Sequence, residues 1–207
     1  MNAAVSTNHT LSGTDSNSVP SFLIREVLNG EPIYYKGYQD VLIGTKAFDE
    51  VMGDSAEKLA VIEYLTRSFL SGPDRLHYRI ITNDAGLMID QNNDLSGDIQ
   101  LFDAKAFPTK KEKSPFAVIP PSVHIEIDTH IESDNLTDEE YIQKKIKTLL
   151  NFGTTKVIWI FSDSKTVLIA TKEGQKVVDW WEDINLTPRF SFNLGTFLQE
   201  LEAPAFP

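Results

Sequence analysis

The chain has 207 residues, 41% hydrophobic and 24% charged, enough apolar material for a sizeable core and incompatible with a wholly disordered or fibrous protein. It has no cysteine, which excludes disulfides and thiolate metal sites; its four histidines (His9, His77, His124, His130) are too scattered for a zinc site, His124 and His130 being the closest pair. A formal net charge of −11 argues against tight, sequence-independent grip on nucleic acid and leaves room only for a focused basic groove.

Residues 1–20 are rich in Ser, Thr and Asn and poor in large apolar side chains, so they are expected to form a flexible tail ahead of a single folded domain over 21–207. Two strands over 23–27 and 32–35 flank Asn29-Gly30, the strongest short hairpin signal. Ser55 can cap a helix over 56–70, with Leu59, Ile62, Leu65 and Leu70 as its apolar stripe. A further pair of strands, 77–81 and 86–89, is joined through Asn83-Asp84. Strand 98–102 follows, then a loop carrying Lys105, Lys110, Lys111 and Lys113, then an extended stretch over 117–128. Thr137 and Glu140 form a capping box for a helix over 137–151, which Gly153 ends. A hairpin over 156–161 and 165–171, a strand over 176–181 and a short helix over 195–201 complete the chain. The order predicts one mixed α/β domain. No run reaches the ~18 apolar residues of a membrane span. The N-terminus also lacks the features of a secretory signal, so a cytoplasmic location is expected.

The chemistry concentrates between residues 98 and 145. In Ser122 to Thr129, Val123, Ile125 and Ile127 alternate with His124, Glu126 and Asp128, so one strand face is apolar and the other carries an imidazole and two carboxylates. Two acids on one face repel each other unless a cation lies between them, which points to a divalent metal. On the helix, Ile142, Ile146, Leu149 and Leu150 set the buried stripe. Lys145 lies one turn from Ile142 and Leu149, whereas Lys144 faces solvent and Lys147 lies further off. Lys145 is therefore the lysine that reaches inward, and Gln143 is a polar second candidate on the other edge of the stripe. Carboxylates holding magnesium with a lysine nearby are the parts that phosphodiester hydrolysis needs.

These residues carry a resemblance. Gly97-Asp98-Ile99, Pro120-Pro121 with Glu126, Lys145 eight residues before Gly153, and the segment 156–160 together resemble the Uma-two family of nucleases, within the PD-(D/E)XK restriction-endonuclease-like superfamily. Residues 25–31 look like that family's N-terminal hairpin, and the likeness covers roughly residues 22–182. It implies a restriction-endonuclease-like core, a mixed central sheet flanked by helices with an antiparallel N-terminal part. It also implies magnesium- or manganese-dependent cleavage of DNA, often by a homodimer. Asp98 and Glu126 would hold the metal with the Ile127 carbonyl, and Lys145 would position the attacking water and stabilise the phosphate. Asp128 would be a third metal contact, and Lys110, Lys111 and Gln143 are candidate substrate contacts, the lysines having an ordinary reading as a solvated loop. The sequence departs from the family pattern at Leu149, where relatives carry Tyr, and at Asp128, where they carry an apolar residue.

Each residue also has an ordinary reading: Asp98 as a turn acid, Glu126 as a salt-bridged strand acid, Lys145 as a snorkelling helix lysine, His124 as a hydrogen-bonding neighbour rather than a ligand. Two rival functions follow, a non-catalytic interaction module of the same fold and a metal-dependent hydrolase of another phosphorylated substrate.

Overall fold

The computed structural model describes residues 19–82, 86–107, 117–128, 130–133 and 135–202. A 3₁₀ turn over Ser21–Leu23 leads into Ile24–Leu28 (β1) and Glu31–Tyr34 (β2), an antiparallel hairpin. Its turn is left-handed at both Asn29 (φ 54°) and Gly30 (φ 81°), the geometry for which Asn-Gly is suited. Two short helices, Tyr38–Leu42 (α1) and Asp49–Met52 (α2), precede the long helix Ala56–Ser71 (α3), whose first turn is capped by the Ser55 hydroxyl accepting from the Lys58 N–H.

The stripe that α3 buries differs from the expected one. Lys58, Val61, Tyr64, Leu65 and Phe69 face inward, while Leu59 and Leu70 are 53% and 48% exposed. Apolar residues lie on two faces of this helix one position apart. Tertiary contacts choose between them, through Tyr64 against Phe197 and Phe69 against Tyr78 and Phe190.

Strands Tyr78–Thr82 (β3) and Leu87–Asp90 (β4) do not form the expected pair. β4 joins Asn93–Leu95 (β5), whereas β3 pairs with Ile99–Asp103 (β6). Of the stretch 117–128, only Val123–Ile127 (β7) is a strand, with Ala117 contributing an isolated bridge to Leu87. Helix Asp138–Phe152 (α4) has the predicted capping box and stops at Gly153 (φ 122°). Strands Lys156–Phe161 (β8), Thr166–Thr171 (β9) and Gly174–Asp179 (β10) follow. The chain then forms the small hairpin Ile184–Thr187 (β11) and Phe190–Phe192 (β12), which was not foreseen, and Leu194–Glu202 (α5).

The main sheet runs β10-β9-β8-β7-β6-β3, and only β7 and β8 are parallel, joined by the crossover through α4. A second sheet runs β2-β1-β5-β4. This is the mixed α/β architecture expected. One face of the main sheet, with Ile99, Val123, Ile125, Ile127, Ile158 and Ile160, packs against α3, α5 and the small hairpin. The other face, with Val157, Trp159, Leu168 and Ala170, packs beneath α4 and the second sheet. β7 is thus sandwiched, and all five of its residues are buried. No helix among the described residues is long and apolar enough to cross a membrane.

Candidate functional site

The polar face of β7 is covered, which the alternation alone did not reveal. His124 and Glu126 are fully buried beneath α4, where Glu126 pairs in register with Trp159 on β8. Lys145 is equally buried and sends its ammonium onto Glu126 Oε1 at 2.7 Å. The same ammonium donates to Glu26 Oε1 at 2.6 Å and to the Tyr141 hydroxyl at 3.0 Å, so its three N–H groups are all taken. Tyr141 in turn donates to Glu26 Oε2 at 2.9 Å, and the Ser96 hydroxyl donates to Glu26 Oε1 at 2.7 Å. His124 Nε2 donates to Glu126 Oε1 at 2.7 Å, an assignment that follows because the ionised carboxylate can only accept.

Burial works against the charge on Glu126, but the Lys145 ammonium and the His124 hydrogen bond outweigh it and hold the carboxyl well below its usual range. Burial likewise opposes the charge on Lys145, yet Glu126 and Glu26 overcome it and keep the amine protonated far above its usual range. Lys145 is a fixed cation here, not a proton acceptor. The ring of His124 fits because residue 97 is Gly: a Cβ there would lie 2.3 Å from His124 Cε1.

Asp98 enters from the start of β6. Ile99 pairs with Ile125, so the antiparallel register brings Asp98 opposite Glu126 at the next step. Its Oδ2 accepts the Ile127 N–H at 2.7 Å and its Oδ1 receives the Lys58 ammonium at 2.7 Å. Burial and the charge of Glu126 push the Asp98 carboxyl up to about 7, against the opposing pull of Lys58. Asp98, Glu126 and Lys145 thus come together from three elements.

The other sequence candidates are placed differently. Asp128 lies past the end of β7 with a left-handed backbone (φ 46°), and its carboxylate accepts the Ser162 N–H at 2.6 Å, so the alternation that stacked it beside Glu126 stops at Ile127. Ile127 gives its N–H to Asp98 and its side chain to the core. Gln143 is exposed and exchanges amide hydrogen bonds with Gln175 of β10. Lys110, Lys111 and Lys113 lie outside the described residues, as do most of the expected tail and the Asn83-Asp84 turn.

Beside these groups opens a cavity of about 460 Å³, whose wall includes Arg25, Lys36, Asp54, Lys58, Asp128 and His130. Among the described residues no three Asp, Glu or His side chains converge as a ready set of metal ligands. The oxygen donors of Asp98 and Glu126 nevertheless suit a hard cation.

Three participants were missed. Glu26 has a signal in the sequence, since Ile24 and Leu28 flank it at two-residue spacing and put an acid on the buried face of a strand. Tyr141 has one too: it lies one turn before Lys145 and supplies a phenol to the lysine, while Leu149 one turn after is apolar. Lys58 has none apart from its three-residue spacing to Val61 on the true inward face of α3.

No known family model matches this sequence, and no curated protein matches it. Among solved structures, a candidate nuclease belonging to DUF820 from Anabaena variabilis ATCC 29413 superposes with a TM-score of 0.58 at 17% identity, over 72% of this chain and 83% of that one. The DrdV–DNA complex aligns with a TM-score of 0.37 at 16% identity, covering 68% of this chain and 11% of that one, a likeness too low to argue from. The first comparison establishes a fold shared with that nuclease-like protein.

Proposed function

We propose that the chain is a magnesium- or manganese-dependent endodeoxyribonuclease. The observation that supports it is the grouping of Asp98, Glu126 and Lys145 within a nuclease-like fold, with Lys58, the ion-pair partner of Asp98, in the wall of an open cavity. Asp98 and Glu126 would hold the metal, with the Ile127 carbonyl and Asp128, which lines the cavity, as further oxygen donors. When bound, magnesium would supply Lewis acidity to the scissile phosphate and to the attacking water. Lys145 keeps Glu126 ionised and oriented; for its ammonium to reach a phosphate it must exchange one of its three present partners. Arg25 and Lys58 in the cavity wall, with Lys110 and Lys111 of the loop, would bind the phosphate backbone. A homodimer would present two such sites to two strands.

A second reading, a non-catalytic module of the same fold, is favoured by the internal counter-ions: Lys58 and Lys145 already neutralise the acids without any metal. Nicking of supercoiled plasmid at low salt, with magnesium or manganese, separates the two. Cleavage by the parent that disappears in folded Asp98→Ala and Glu126→Ala supports the nuclease. Undiminished cleavage in both variants refutes this site, and an inert parent with either metal favours the module.

A further inference from the structure

Lys58 occupies the place beside Asp98 that a bound cation would take. Its residue is only 7% exposed, and its ammonium bridges Asp98 Oδ1 at 2.7 Å and Asp54 Oδ1 at 2.8 Å. Lys58 forms part of the cavity wall while Asp98 lies behind it, so the lysine stands between the acid and the opening. The other Asp98 oxygen already accepts the Ile127 N–H within the sheet, and Oδ1, which Lys58 holds, is the oxygen on the side of the cavity wall.

Two cations cannot share one carboxylate oxygen at contact distance in a low-dielectric site without strong repulsion. Resting on the reading of Asp98 as a metal-holding carboxylate, we propose that Lys58 is a built-in competitor for the divalent cation. Its ammonium must leave Asp98 for the metal to bind, and Asp54 receives it. Asp54 suits that part: it precedes Lys58 by one helical turn, already bonds the amine, and its side chain is 33% exposed at the cavity. After the exchange the lysine remains in the cavity wall near Arg25, where both are placed to meet a phosphate. Metal entry and the exposure of a phosphate-binding cation become one event.

The test is manganese affinity of the full chain by titration calorimetry, with free manganese followed independently by electron paramagnetic resonance, in mildly alkaline buffer of low ionic strength. Lys58→Met and Lys58→Gln should each bind about tenfold more tightly than the parent, since a charge-assisted contact no longer has to be broken. Lys58→Arg should not gain, and adding Asp98→Asn should abolish binding in every background. Equal or weaker binding in both neutral variants, with the parent still binding, overturns the competition and leaves the metal reading standing. No binding by parent and neutral variants alike overturns both. Should the variants fail to fold, the parent decides: magnesium should shift the Lys58 ammonium resonance in nitrogen-15 spectra, and an unmoved resonance at saturating magnesium refutes the exchange.

Discussion

Replacing Lys145 with Met isolates the energetics of the buried network. In the parent, one ammonium compensates Glu26 and Glu126, all three side chains having no exposure to solvent. Methionine has nearly the same length and fills the same space, so the loss is electrostatic rather than a cavity. It leaves two carboxylates in the core without their shared ammonium, with Tyr141, Ser96 and His124 among their remaining donors. Removing one partner of a buried pair typically costs about 3–5 kcal/mol, because the remaining charge is left uncompensated. For a domain of this size that corresponds to a fall in Tm of roughly 6–20 °C.

Urea denaturation at neutral pH, read by tryptophan fluorescence, measures the effect. The pH dependence supplies a second check with a defined sign. The Glu126 carboxyl is held below its usual range in the parent, so its contribution is present above the unfolded pKa of about 4.3 and fades as pH falls. In Lys145→Met the Glu126 carboxyl loses the cation that depresses it. Its folded pKa rises, and the variant gains relative stability on acidification. The gap between the two proteins should therefore close as pH falls from 7 towards 4. Adding Glu26→Gln to Lys145→Met should restore part of the loss by removing one of the two opposed charges. A cost below about 1 kcal/mol at neutral pH, or a gap that widens with acid, would refute the assignment of Lys145 as the network's counter-ion.

Two smaller changes probe the same region. Tyr141→Phe removes the phenol that donates to Glu26 and accepts from Lys145, and should cost about 1–3 kcal/mol in the same urea assay, a near-zero effect showing that water replaces it. Gly97→Ala drives a methyl into the buried His124 ring and should destabilise by about 1–3 kcal/mol, with histidine NMR resonances showing the ring displaced; an unperturbed ring would mean that the backbone yields instead.

How much of this was legible in the sequence depends on how local its cause is. The Asn29-Gly30 turn and the Thr137/Glu140 capping box are decided by neighbouring residues, and both appear as expected. The pairing of β3 and β4 is not local: Asn83-Asp84 suggests a turn, but the partners β6 and β5 are chosen by the two sheets. The helix stripes are right in part: Leu65, Ile146 and Leu149 are buried as expected, while Val61 is buried more fully than Ile62 and Tyr141 more fully than Ile142, because apolar residues adjoin each other and only the packed surface selects among them. The β7 alternation correctly separates two faces, yet it cannot say that the polar one is covered. That cover comes from Tyr141 and Lys145 on α4 and Glu26 on β1, about a hundred residues away in the chain for the last. Residue type and spacing single out Asp98, Glu126 and Lys145, whereas the position of Lys58 against Asp98 depends wholly on tertiary placement.

The net charge of −11 is a weaker guide to the partner than the charges within one screening length of the cavity, ~8–10 Å at ordinary salt. Arg25, Lys36 and Lys58 in its wall face Asp54, Glu57, Asp128 and Asp163, three cations against four carboxylates. Lys58 is moreover bound to both Asp54 and Asp98, so much of the positive charge is already spent inside the protein. A polyanion gains little from such a wall as it stands. On the proposed reading, one divalent ion at Asp98 would cancel the excess negative charge of the wall and of Asp98 and, by the exchange, free Lys58 from that acid. On that reading the grip on phosphate belongs to the metal-loaded site, and an acidic chain can act on nucleic acid while leaving it unbound when metal is absent.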